Sequence, residues 1–262
     1  MPSWSQTEID KAVELVKRKP NEIKWMKRPP RPVQLAAVLT DPSCIQYIRH
    51  TDADIQFVAV DHNPSSALRW IRNPHPETLV RACEKYGRNL EYIKNPTYEM
   101  QLAAVKQDGS MISKIANQTE EMHIAALDNA SWAFRDFKNP SRRVRLMAIR
   151  KYAHNIGSIR SPSVEEQVLA VKTDPGCFAS IRRPCVEAQV LAVRSNPAEY
   201  RRMRNPAEPV SIEYVKHHPD NILHVKNPSK AVKWSAIMSH PESIKHISDA
   251  SEAMKATAII CS

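Results

Sequence analysis

Glycine is scarce in this chain, with four residues in 262. That excludes a glycine-rich phosphate loop, which needs several glycines in one short turn. Gly87, Gly109, Gly157 and Gly176 are instead spread singly along the chain. Neither His-Glu-x-x-His nor Gly-x-Ser-x-Gly occurs, so a zinc-protease helix and a nucleophile elbow are both missing. No catalytic residue is nominated, and the expectation is a non-enzyme without a cofactor. Cysteine is sparse and odd in number (Cys44, Cys83, Cys177, Cys185, Cys261), with no Cys-x-x-Cys. This points to free thiols in a reducing compartment. No apolar run approaches the roughly 18 residues of a membrane span, and Met1-Pro2-Ser3-Trp4-Ser5-Gln6 does not read as a signal peptide. The expectation is a cytoplasmic protein with no membrane contact. Strand-type alternation is also missing.

What is present is a repeat. Phase residues fall at Thr7, Pro29, Thr51, Pro74, Pro96, Gln118, Pro140, Pro162, Pro184, Pro206, Pro228 and Ala250. Every step is 22 residues except Thr51 to Pro74, which is 23; the extra residue lies near His62-Asn63-Pro64. A fixed period of this length marks a stacked array. Six residues after the phase comes a large apolar side chain, as in Leu35, Val80, Leu102 and Val190. Eight after it is Ala in ten of twelve copies, which implies close backbone approach; Leu15 and Tyr214 break the rule, so packing should loosen there. Six and three before the phase, pairs such as Ile23/Met26 and Ile112/Ile115 are one helical turn apart.

Asn73, Asn95, Asn139, Asn205 and Asn227 each precede Pro, which reads as an N-cap followed by the first helical residue. Asp41-Pro42, Asp174-Pro175, Asn196-Pro197, His218-Pro219 and His240-Pro241 begin a second helix in the same way. Twenty prolines fit short helices with Pro at the boundaries. The fold class expected is an all-α solenoid of eleven to twelve 22-residue repeats. Each repeat has one helix of about ten residues and a second, α or 3₁₀, of about seven. It should form a single domain over residues 1–262, with a cap near 1–6 and an incomplete last copy near 250–262.

Net charge is +10 and uneven, with 15 Lys/Arg against 6 Asp/Glu between residues 135 and 204. Two before the phase, nine of eleven copies are basic: Lys27, Arg49, Arg72, Lys94, Lys138, Arg160, Arg182, Arg204 and Lys226. Such a column reads as a polyanion track or as cations complementing helix C-termini. Arg142, Arg143, Arg145, Arg150, Arg160, Arg182, Arg183, Arg194, Arg201, Arg202 and Arg204 are the candidate anion-binding set, because guanidinium suits bidentate phosphate contact. Four before the phase stand Trp25, Tyr47, Trp70 and Tyr92, candidates for base stacking or half-buried packing. Gln34, Gln56, Gln101, Gln167 and Gln189, five after the phase, should hydrogen-bond between repeats. Carboxylates three after the phase, such as Asp54 and Glu121, suit the first turn of a helix. His218 with His240, and His224 with His246, stand one repeat apart. Layers about 10 Å apart would keep such a pair from converging, so no metal site is expected.

The phrases Asn95-Pro96-Thr97-Tyr98-Glu99-Met100-Gln101-Leu102-Ala103-Ala104-Val105 and Ser161-Pro162-Ser163-Val164-Glu165-Glu166-Gln167-Val168-Leu169-Ala170-Val171 resemble short helical repeats in uncharacterised proteins of tailed bacteriophages and giant viruses. In length and Pro placement the repeats are similar to leucine-rich-repeat variants, which stack α and 3₁₀ helices. The resemblance implies architecture and a virus-encoded protein acting in a host cytoplasm; it transfers no site residue. Two partners then follow as expectations: an anionic macromolecule, nucleic acid first, or a host or viral protein. Sequestration of an anionic nucleotide is a third. The apolar end Ala258-Ile259-Ile260-Cys261 either folds back, through Ile259, onto the preceding repeat or self-associates as a homodimer.

Overall fold

A computed structural model describes residues 4–261. Those residues are helical throughout, without a strand, and form an α-solenoid of helix–short-helix repeats. The chain divides into two compact units, residues 1–144 and 145–262, each described by itself.

The α-helices are α1 (Gln6–Arg18), α2 (Arg31–Thr40), α3 (Ala53–His62), α4 (Ala67–Trp70), α5 (Pro76–Lys85), α6 (Tyr98–Gln107), α7 (Glu120–Asn129), α8 (Arg142–Lys151), α9 (Val164–Thr173), α10 (Val186–Ser195), α11 (Glu208–Val215), α12 (Lys230–Ser239) and α13 (Glu252–Cys261). Between them lie six-residue 3₁₀ helices such as Pro42–Tyr47 and Pro175–Ser180. The 23-residue copy departs from this plan: its second helix is the single α turn α4, closed by Ile71 N–H donating to the Ala67 carbonyl at 3.2 Å.

The Asn-Pro pairs do not start the long helices. Apart from α1 and the single turn α4, each α-helix begins two residues after the phase, and the residue in between holds the N-cap position. Asp52, Thr97, Thr119, Ser163 and Ser229 accept from the backbone N–H three residues on. Asn139, Asn205 and Asn227 instead take positive φ, at 49°, 130° and 49°, and turn the chain out of the 3₁₀ helix. Asn is the non-glycine residue most at ease there, because its short amide bonds locally. The second-helix starts are as expected. Asp41 Oδ1 accepts from Ser43 N at 2.9 Å and Asp174 Oδ1 from Gly176 N at 2.8 Å. The same residues' own N–H groups close the preceding α-helices on Ala37 and Ala170.

Burial refines the column pattern. The deepest positions lie four, eight and nine after the phase. Val33, Ala37 and Val38, or Met122, Ala126 and Leu127, are at most 1% exposed. The large apolar residues six after the phase, such as Leu35 and Leu102, are only half-buried. Helical geometry explains the difference: at about 100° per residue, four and eight share one side of the helix, whereas six lies nearly opposite them, beside nine. The column at four after the phase has no single residue type to mark it, mixing Val, Ile, Met, Ala, Thr, Glu and Lys.

Leu15 and Tyr214 behave differently from each other. Leu15 is exposed while Ala12 and Val16 are buried, so α1 presents another side as the first layer of its unit. Tyr214 is fully buried and stacks on Tyr200, with ring centroids 4.0 Å apart and planes 3° from parallel. Tyr200 Oη and Ser211 Oγ hydrogen-bond at 2.9 Å. Packing there is tight, not loose, because Ser211 stands where most other copies carry larger side chains such as Gln, His or Arg and leaves room for a ring.

At Gly109 an added Cβ would stand 2.7 Å from the Ala126 carbonyl oxygen. Its N–H donates to Asn129 Oδ1 at 2.6 Å. Most copies carry Pro at this position, with no N–H to satisfy. In the last layer, Met254 and Ala258 are buried whereas Ile259 and Ile260 are 78% and 83% exposed. Ile259 does not fold back; Met254 and Ala258 make that contact.

Candidate nucleic-acid interface

The charge of each copy is partitioned along its length. Eleven windows of seven residues, each ending on a phase residue, cover the second half of the short helix and the following turn. They hold 18 of the chain's 38 Lys/Arg but only 3 of its 28 Asp/Glu, namely Glu91, Asp136 and Asp249. The rest of the chain is therefore net acidic. Several consecutive short helices pack side by side, Pro20–Trp25 on Pro42–Tyr47 in the first unit, and Ala153–Ser158 on Pro175–Ser180 and Pro219–His224 on Pro241–His246 in the second. In each unit the windows thus form a basic strip.

The carboxylates stand mainly on the α-helices, where neighbouring repeats use them. Arg31 reaches Asp52 at 2.7 Å and Asp54 at 2.8 Å, and Tyr98 Oη donates to Glu121 at 2.5 Å. Within the strip, Lys114 pairs with Glu91 at 3.2 Å, but most cations of the column two before the phase have no such partner. Lys27, Arg49, Arg72 and Lys94 in the first unit, and Arg160, Arg182, Arg204 and Lys226 in the second, are exposed and make no hydrogen bond or ion pair with the described residues. Lys138 is the one that caps a helix end, donating to the Ile115 and Ala116 carbonyls at 3.3 Å.

Arg142 and Arg143 belong to the first unit and the other nine candidate arginines to the second. Arg143 lies 3.6 Å from Glu120, and Arg142 is exposed. In the second unit, Arg160, Arg182, Arg183, Arg201, Arg202 and Arg204 lie in the basic windows. Arg201 contacts His224 Nε2 at 2.7 Å and Arg202 contacts Glu199 at 3.0 Å. Arg150, Arg194 and Arg145 stand on α-helices. Arg150 is exposed, while Arg194 is paired with Glu213 at 2.7 Å.

Arg145 is half-buried and turned toward an internal partner. Its Nε donates at 2.7 Å to Glu166, whose side chain is 0% exposed. Glu166 Oε2 also accepts from Ser163 N at 2.7 Å and Ser163 Oγ at 3.0 Å. Burial pushes the Glu166 pKa up, but the Ser163 backbone and hydroxyl donors together with Arg145 outweigh it and hold the acid below the usual range. The carboxylate stays charged because its donors replace the lost water.

The aromatic column separates from the core. Trp25 is 74% exposed and Tyr92 53%; Tyr47 is exposed and only Trp70 packs partly inward. A 3₁₀ helix turns every three residues, so the six-before and three-before positions point inward together and the four-before position points out. Trp70 is on α4, where that geometry differs. Lys24 Nζ stands 4.9 Å from the Trp25 ring centroid. Arg69 donates to Tyr92 Oη at 2.6 Å, with its guanidinium 5.1 Å from that ring.

Gln34, Gln101, Gln167 and Gln189 each close their own turn on the phase-residue carbonyl, as Gln101 does on Pro96 at 3.0 Å, whereas Gln56 donates to Thr51 Oγ1 and the Asn73 carbonyl. Gln167 adds a bond between repeats, accepting from Cys185 N at 2.7 Å.

No family model, curated protein or solved structure matches the chain.

Histidines go to separate partners: His246 to Asp220 at 2.8 Å, and His240 to the Lys216 carbonyl at 3.0 Å. No three His, Cys, Asp or Glu gather among the described residues. All five cysteines are free, and no described helix is long and apolar enough to cross a membrane.

Proposed function

We propose that the basic strip holds the phosphate backbone of a nucleic acid, as a non-catalytic binding protein. One observation carries this reading: the strip concentrates nearly half the cations, excludes most carboxylates, and leaves its column cations without counter-ions. Capping alone accounts for a cation at a helix end; it does not account for the missing acids or for the second and third cations of copies such as Arg201, Arg202 and Arg204. In the first unit the exposed Trp25, Tyr47 and Tyr92 supply faces on which unpaired bases stack, which favours a single strand. The phage-like phrases are consistent with a viral source.

Fluorescence anisotropy with single-stranded and duplex oligonucleotides across a salt series tests this. Each phosphate contact contributes a slope of about −0.7 in log K against log [salt] on single strands. The triple variant R160Q/R182Q/R204Q should flatten the slope by about 2. Absent binding, or binding indifferent to salt, refutes the reading.

A protein partner is the second reading. It draws on a shallow apolar depression in the second unit, walled by Val168, Val186, Val190 and Leu191, and on the resemblance to phage proteins. Co-purification of a defined host protein after nuclease treatment would favour it.

A further inference from the structure

In the first unit a recess of about 310 Å³ opens on the strip where the 23-residue copy meets its neighbour. It lies between the turn after Pro42–Tyr47 and the turn after α4. Arg49, His50, Arg72 and His75 line it over a floor of Ile45 and Ile71, and no carboxylate does. The nearest acid in sequence, Asp52, is engaged by Arg31 at 2.7 Å. Neither guanidinium has a hydrogen-bond or ion-pair partner among the described residues.

The walls are held in place from inside. Gln56, 1% exposed, donates to Thr51 Oγ1 and the Asn73 carbonyl, both at 3.1 Å. It accepts from His75 N at 2.9 Å, which ties both turns to one buried amide. His75 Nε2 donates to the Thr51 carbonyl at 3.2 Å, so that ring is oriented too. Water occupies about 30 Å³ per molecule, so the recess has room for a tetrahedral oxyanion and part of what carries it.

We infer that this recess is a binding site for a terminal phosphate group, a phosphomonoester held between Arg49 and Arg72. Two guanidiniums match the nearly two negative charges of a monoester at neutral pH better than the single charge of a backbone diester. The carrier is either a free nucleotide or the phosphorylated end of a strand lying on the strip; only the second carrier rests on the nucleic-acid reading above.

The test compares inorganic phosphate, a nucleoside monophosphate, and one single-stranded oligonucleotide with a 5′-phosphate or a 5′-hydroxyl, all at ionic strength matched with KCl. Inorganic phosphate should raise the melting temperature above the KCl control. The 5′-phosphorylated strand should bind about tenfold more tightly than its 5′-hydroxyl twin. R49Q/R72Q, two exposed changes that leave the core alone, should abolish both effects. R182Q/R204Q should weaken both strands equally and keep their ratio. A nucleotide binding as well as the phosphorylated strand identifies the free nucleotide as carrier; preference for the strand identifies its end. If neither strand binds but phosphate still stabilises, the strip reading fails and the recess stands. A phosphate effect no larger than that of KCl, or one that survives R49Q/R72Q, overturns the assignment.

Discussion

Removing Arg145 should destabilise the protein, and removing its partner as well should restore it. The variant R145M leaves Glu166 charged at 0% exposure, with Ser163 as its remaining donor. A hydrogen bond to a charged group contributes about 1.5–3 kcal/mol. At roughly 2–4 °C per kcal/mol for a protein of this size, the melting temperature should fall by about 3–12 °C at pH 7. The double variant R145M/E166M should recover most of that loss, since apolar replacement of a buried pair is often neutral and Met100, Met122 and Met254 are buried at the equivalent position. The pH dependence has a definite sign. Glu166 has a folded pKa below its ordinary value, so its contribution is present above the ordinary glutamate range and lost as pH falls through the lowered folded value. E166M should therefore lose less stability on acidification than the parent. Scanning calorimetry at pH 7 and pH 4 measures both effects. An unchanged melting temperature in R145M, or a double variant no better than the single, would refute the coupling.

Two further outcomes are expected. Tyr214→Ala restores the residue most common in its column, yet it should cost about 3–5 kcal/mol by leaving a cavity against Tyr200; urea unfolding at 25 °C would expose the error if this variant proved stabilised. Burial pushes the Cys83 thiol up to about 12 and those of Cys44 and Cys177 to about 11, so at pH 8 a thiol reagent should label exposed Cys261 first and these three only on unfolding, with peptide mapping as the check.

The architecture was legible because its signals repeat: an Ala eight after each phase residue, a pair three apart before it, and Pro at fixed boundaries. Single-copy events were less legible. Asn at the turn and Asn at an N-cap obey the same local chemistry, so only the backbone angles separate them. Arg145 reads as one more cation because its counter-charge, Glu166, sits in a core column filled mostly by Val, Ile and Met. The exposed rings were open in the sequence because a residue between two positions three apart is half-buried on an α-helix but points outward on a 3₁₀ helix. The recess beside α4 depends on one inserted residue, whose effect on shape has no compositional trace.

Division of labour within the copy also bears on how such chains diversify. The positions that bind one layer to the next are uncharged or internally neutralised, and those proposed to meet a ligand lie in the connecting turns. Duplicating or deleting a copy therefore lengthens or shortens the footprint in quantal steps without disturbing the interior. Substitutions in a turn retune affinity at that step alone, so selection can adjust reach and grip separately.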